Sequence, residues 1–192
     1  MEDGNFRIRD ARPEDCAAIM KMIVELAVFE NSEDYSHLHT CLLKCSFPVR
    51  CLLNLLKLLF FLGLQKDILE PGSIVSCIVA EYKRPEVETF EVIGYSVFFY
   101  TYSTWKGKVV YMEDLYIMKE FRGIGYGRIF MRRVAEIGLE KGCQRMQWAV
   151  LGWNKPAINM YKTINSIDLT ATEDWHMYTM FKPQLLTFVT NS

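Results

Sequence analysis

Residues 122 to 128, Arg-Gly-Ile-Gly-Tyr-Gly-Arg, place a glycine at every second position just before an apolar helical run. Residues without a Cβ let main-chain N–H groups close on an anion, and a helix N-terminus adds roughly half a positive charge. The chemistry implied is phosphate binding. Upstream, Val109 to Met118 has the Val, Tyr, Leu and Ile content of a strand and carries two adjacent carboxylates, Glu113 and Asp114. Downstream, Phe130, Val134 and Ile137 recur at helical spacing, and Gly142 suits the left-handed position that closes a helix. Strand, glycine turn and helix start must together hold the ligand.

Two familiar phosphate loops do not fit. A P-loop needs Lys followed by Ser or Thr after its last glycine, and Arg128-Ile129 stands there instead. A dinucleotide fingerprint needs a third glycine at position 128, which is Arg128. The glycines alone also read as a turn that merely reverses the chain. What remains is Arg-x-x-Gly-x-Gly over Arg122 to Gly127. That pattern resembles the acyl-CoA pyrophosphate loop of the GNAT superfamily of N-acetyltransferases.

The elements around this core predict a mixed sheet with helices on its faces. Phe6 to Arg9 reads as a first strand, and Pro13, Glu14 and Asp15 open a helix that ends near Glu30. Ile74 to Tyr82 and Val92 to Tyr102 read as strands, as do Met146 to Leu151 and Trp175 to Phe181. Pro156 to Lys162 reads as a short helix capped by Asn154. Between Asp34 and Asp67 no acid occurs, and 51–64 is apolar apart from Asn54 and Lys57. That run is too short for a membrane span, which needs about 20 residues. It reads as a buried helix or poorly ordered insert, or as a surface that meets a membrane or partner.

At 192 residues the chain is expected to form one domain, 1–192, with the atypical apolar insert at 35–63. A net charge of −1 gives no electrostatic case for nucleic acid. The six cysteines show no Cys-x-x-Cys pairing, and the acidic start Met1-Glu2-Asp3 is no secretory leader. Reduced thiols and a cytoplasmic location are expected. His37, His39 and His176 match no metal-ligand spacing.

Further stretches narrow the likeness. Phe98 to Lys108, Tyr111 to Asp114, Trp153 to Lys162, and Asp168-Leu169-Thr170 with Glu173 and Trp175 resemble the diamine (spermidine/spermine) N-acetyltransferases. Ser103-Thr104 is similar to the thialysine-preferring branch. The resemblance implies a GNAT-type α/β fold, with a mixed, mostly antiparallel central sheet flanked by helices. It also implies acetyl-CoA as cosubstrate, a small amine as substrate, and a homodimer.

It further implies roles for particular residues. A primary amine near pKa 10.4 lies roughly 3.4 units above neutrality, about 4–5 kcal/mol from its reactive neutral form. Glu113 is the implied base and Tyr161 the implied proton donor to the leaving thiolate. The backbone of Leu115, Tyr116 and Ile117 would lie along the pantetheine arm. Arg122, Gly123, Ile124, Gly125, Tyr126, Gly127 and Arg128 would hold the pyrophosphate, with Asn154, Lys155, Pro156 and Ala157 on the same ligand. Phe29, Glu30, Glu113, Asp114, Gln147, Trp148, Ala149 and Glu173 would meet the amine. Without the resemblance, Tyr161 reads as a core tyrosine and Glu30 as an exposed helix end. Strand alternation turns only one of Glu113 and Asp114 to the pocket.

Three departures bear on the amine half. The insert falls where the family closes over its substrate, Gly152 replaces an acid, and Ile164-Asn165-Ser166 lacks the usual helix-ending glycine. A catalytically weak CoA-binding or interaction protein is therefore the alternative. A protein N-acetyltransferase with a wide groove is a third reading.

Overall fold

The computed structural model describes residues 4–30, 63 and 72–190. The insert expected at 35–63 lies outside the described residues, Gly63 excepted. The chain divides into two compact units, Met1–Leu151 and Gly152–Ser192.

The first unit holds a five-stranded sheet with β1 (Phe6–Asp10), β2 (Val75–Lys83), β3 (Phe90–Ser103), β4 (Gly107–Ile117) and β5 (Arg145–Gln147) in chain order. The first four pair antiparallel, and β5 joins β4 in parallel. The mixed, mostly antiparallel sheet is the one expected. Helix α1 (Cys16–Phe29) precedes β2, and α2 (Tyr126–Glu140) lies between β4 and β5. Alternation along β3 sends Tyr95 and Val97 into a core with Ile19 and Met22 of α1. It leaves Gly94 facing Phe130 of α2.

Helix α2 reaches the sheet through Gly138, where an added Cβ would stand 2.6 Å from Cγ1 of Val110. Its end is a Schellman motif: Cys143 N–H donates to the Gly138 carbonyl and Gly142 N–H to that of Leu139, both at 2.9 Å. Gly142 sits at φ 77°, as the sequence suggested. The sheet's first edge is held by a largely buried ion network. Arg9 donates to Asp15 at 2.6 and 2.9 Å and to Glu81 at 2.6 Å, and Arg7 Nε meets Glu81 at 2.6 Å. Asp15 also accepts the Arg12 N–H, which fixes the short 3-10 turn Pro13–Asp15 before α1.

The second unit contains α3 (Lys155–Thr163), α4 (Leu169–Glu173) and α5 (Lys182–Thr190). The strand expected at Trp175–Phe181 is not formed. These residues are exposed and irregular, and no strand lies among the described residues of their own unit to satisfy their main-chain groups. Helix α5 follows where the sequence reading placed none. The strand expected over Met146 to Leu151 is likewise cut short at Gln147. Among the described residues no helix is long and apolar enough to cross a membrane.

Candidate functional site

The glycine turn and the start of α2 have the geometry of an anion cradle. Gly123 and Gly125 adopt φ of 81° and 98°, a left-handed backbone that a Cβ disfavours. Gly125 is the N-cap of α2, and no side chain caps that first turn. Cβ atoms built on Gly123, Gly125 and Gly127 would meet nothing within 4 Å, so the main chain there borders open space. First-turn N–H groups that lack an intrahelical partner point outward from such an end.

Aromatic packing fixes the cradle on the sheet. The Tyr126 ring stacks on Phe6 with centroids 4.0 Å apart and planes within 8°, so only its main chain faces the turn. Arg122 Nε donates to the Ile117 carbonyl at 2.7 Å, and its guanidinium lies over the rings of Tyr116 and Phe29, at 5.0 and 5.4 Å. Arg122 therefore ties the turn both to the end of β4 and to the end of α1. Ile124 and Arg128 are exposed on the same turn.

Beside the turn, β4 offers an open edge. Strand β5 pairs only with Val109, Val110 and Tyr111. From Met112 to Ile117 that edge has no neighbouring strand among the described residues, and Leu115, Tyr116 and Ile117 lie on it. An amide-rich ligand can bond to main-chain groups left in this way. The Tyr116 hydroxyl donates to Glu25 at 2.8 Å. Burial, together with that carboxylate, pushes this phenol up to about 12.

Strict alternation does not hold at the two acids. The register runs from Val97 opposite Asp114 to Phe98 opposite Met112, leaving Glu113 as the extra residue of a β-bulge. Glu113 is exposed, whereas Asp114 is half-buried and accepts the Tyr95 hydroxyl at 3.2 Å. Burial raises the Asp114 carboxyl, the Tyr95 bond pulls it down, and the Glu113 charge adds to the rise. Glu30, at the end of α1, is raised by partial burial and then by Asp114. Glu30, Glu113 and Asp114 thus gather at one end of the sheet. No Lys or Arg pairs with any of them among the described residues, in contrast to Asp15 and Glu81.

In the second unit, Asn154 Oδ1 accepts the Ala157 N–H at 3.3 Å and caps α3, with Pro156 in its first turn. Lys155 Nζ donates to the Gly152 carbonyl at 2.7 Å. Tyr161 lies on α3 and is half-buried, and burial raises its phenol. The end of α3 is better closed than the missing glycine suggested. Asn165 adopts φ 57°, Ser166 N–H donates to the Tyr161 carbonyl at 3.3 Å, and Ser166 Oγ donates to the same oxygen at 2.8 Å. Glu173 is exposed and accepts Trp175 Nε1 at 2.8 Å. Gln147 ends β5 half-buried, Trp148 is half-buried after it, and Ala149 is exposed.

The sequence reading passed over Tyr95 and Glu25. Both lie in apolar stretches, where a polar tip signals only that some partner is needed.

Residues 52–165 match the acetyltransferase (GNAT) family. The chain belongs to that family. It is 39% identical over 174 residues to the thialysine N-epsilon-acetyltransferase of Mus musculus, covering 90% of both chains. It is 34% identical to the enzyme of that name from Caenorhabditis elegans, covering 92% of both. An integron cassette protein from the mobile metagenome of V. cholerae superposes with a TM-score of 0.64 at 19% identity, over 96% of this chain and 98% of that one. That last likeness concerns the fold alone. Family and relatives together make this GNAT chain an amine N-acetyltransferase, and enzymes of the family take acetyl-CoA as acetyl donor.

Proposed function

We propose that this GNAT chain transfers the acetyl group of acetyl-CoA to a primary amine of a small diamine, polyamine or thialysine-like lysine analogue. The observation that carries the reading is the group of three carboxylates without cation partners, Glu30, Glu113 and Asp114, beside an open β4 edge and an uncapped helix start. Negative charge without its own cation selects a cationic substrate. The names of the curated relatives support the same class.

Acetyl-CoA supplies an activated acetyl thioester. The residues of this chain bind it and manage protons. Gly123 to Gly127 receive the pyrophosphate on main-chain N–H groups, with Arg128, whose own N–H donates to the Gly125 carbonyl at 3.0 Å, on the same ligand through its exposed side chain and Arg122 holding the turn in shape. Asn154, Lys155, Pro156 and Ala157 serve the same ligand, and the open edge at Leu115, Tyr116 and Ile117 takes the amide-bearing arm. Glu113 removes the ammonium proton, directly or through water, aided by its exposure on the bulge. Tyr161 gives a proton to the departing thiolate. Its raised phenol makes it a donor by position more than by acidity. Phe29, Glu30, Asp114, Gln147, Trp148, Ala149 and Glu173 line the amine side.

We also propose that 1–192 acts as one catalytic domain, because the family match runs unbroken across the boundary between the two units. A homodimer rests on the family resemblance, and light scattering of the purified chain tests it. A cytoplasmic location is supported by free thiols at Cys16, Cys77 and Cys143.

The deciding experiment presents acetyl-CoA with spermidine, putrescine, thialysine and a lysine peptide, reading acetylated product by mass. Turnover of the small amines is expected. Acetyl-CoA binding without turnover on any amine would favour a non-catalytic CoA-binding protein, and turnover of the peptide alone would favour a protein acetyltransferase.

A further inference from the structure

Tyr95 is fully buried in β3, its ring packed with Ile19, Met22, Val79 and Tyr116. Its hydroxyl reaches out of that core to Oδ2 of Asp114 at 3.2 Å. The main chain at the same point is held separately, by Ser96 Oγ donating to the Asp114 carbonyl at 2.8 Å. Among the described residues Tyr95 is the single donor to the Asp114 carboxylate. The other titratable groups around it are Glu30 from α1, Cys77 from β2 and Glu113 from β4 itself. None of these brings a positive charge. A carboxylate drawn out of water without a cation tends to take up a proton. A buried phenol that donates to it opposes that tendency and fixes which oxygen is turned inward.

We propose that Tyr95 is a positioning residue for amine recognition: its hydroxyl anchors Oδ2 of Asp114 and leaves Oδ1 for the ammonium group of the substrate. This rests on the amine-acetyltransferase reading above. It adds a residue that lies in the core and touches no substrate. Phenylalanine at this position would fill the same volume and lose only the anchor.

The test is Tyr95→Phe, Asp114→Asn and the double variant, assayed with acetyl-CoA and spermidine or thialysine. In Tyr95→Phe the KM for amine rises about three- to tenfold, the size expected for one hydrogen bond to a charged group. The value of kcat at saturating amine changes far less. Loss of the donor raises the Asp114 pKa, so the acid limb of kcat/KM moves to higher pH, by about half a unit to one unit. In the Asp114→Asn background the Tyr95→Phe effect on KM vanishes.

A second readout needs no turnover. The 13C-carboxylate resonance absent from Asp114→Asn is followed through a pH titration, and its midpoint is higher in Tyr95→Phe than in the unaltered chain. If Tyr95→Phe folds poorly, 3-fluorotyrosine at position 95 keeps the shape with a stronger donor and moves the midpoint down. An unmoved midpoint, or a KM effect that persists without Asp114, overturns the proposal. If the unaltered chain acetylates no amine, the functional reading fails, and the titration still decides whether Tyr95 governs Asp114.

Discussion

The tasks proposed for Glu113 and Tyr161 are opposite ones with protons, and their surroundings suit them differently. Glu113 stands exposed on the bulge, where a water can relay a proton away. Tyr161 is half-buried and holds its proton more tightly than a free phenol. Tyr161→Phe is expected to lower kcat at least tenfold, within the range of one positioned acid, with acetyl-CoA affinity unchanged by calorimetry. Equal turnover in that variant removes Tyr161 from the mechanism. Glu113→Gln should lower kcat/KM about a hundredfold, and addition of small amine bases to the assay measures any rescue. The two acids were legible as residue types but not as geometry. Alternation along β4 would separate them, and the bulge that breaks it is a matter of register against β3, which one strand's sequence does not encode. Tyr95 was hidden for the same reason, since only pairing brings it to Asp114.

At the scale of elements, the glycine turn is sensitive to change where its backbone is left-handed, at Gly123 and Gly125. Gly125→Val would force a β-branched residue to φ 98°, costing about 1–2 kcal/mol in backbone alone, and would place methyls in the space before the first turn of α2. Calorimetry should show acetyl-CoA bound at least tenfold more weakly while α2 itself persists by circular dichroism. This turn was readable because its chemistry is local: glycine spacing, a strand before it and a helical period after it. The N-cap of α3 was readable on the same ground. Its C-terminus was misjudged because asparagine also tolerates the left-handed backbone, and Asn165 takes the place a glycine would have filled. Trp175–Phe181 has the composition of a strand, yet a strand needs a neighbour, and composition says nothing of neighbours.

At the scale of the whole chain, the two acidic groupings of the first unit differ in whether a cation meets them. Asp15 and Glu81 are neutralised by Arg9 and Arg7 and serve the fold. Glu30, Glu113 and Asp114 meet no Lys or Arg among the described residues, and are the ones proposed to face the amine. For Asp15 and Glu81, burial alone would raise the carboxyls, but the bonds from Arg9 prevail and hold both below their ordinary values. Their stabilising effect is therefore complete above roughly pH 4, near the unfolded values, and is lost as pH falls through the lower folded ones. Arg9→Met would leave the buried Asp15 carboxylate without a cation and Glu81 with Arg7 alone. Urea titration near neutral pH should show a loss of about 3 kcal/mol, and the stability that remains should depend differently on acid. None of this network was read from the sequence, because Arg9 and Glu81 meet only when β1 lies beside β2.

Gly138 sets a limit on how this enzyme can be hardened against heat. Replacing a mid-helix glycine by alanine is a usual route to higher melting temperature, with about 1 kcal/mol of helix propensity to gain. Here the new methyl would collide with Val110, and overpacking of that kind costs about 1–3 kcal/mol. Relief would come by levering α2 away from the strands beneath it. The opposite end of that lever is the glycine turn proposed to hold the cosubstrate phosphates, so a thermostability screen that accepts alanine at 138 is expected to select for poorer cosubstrate capture.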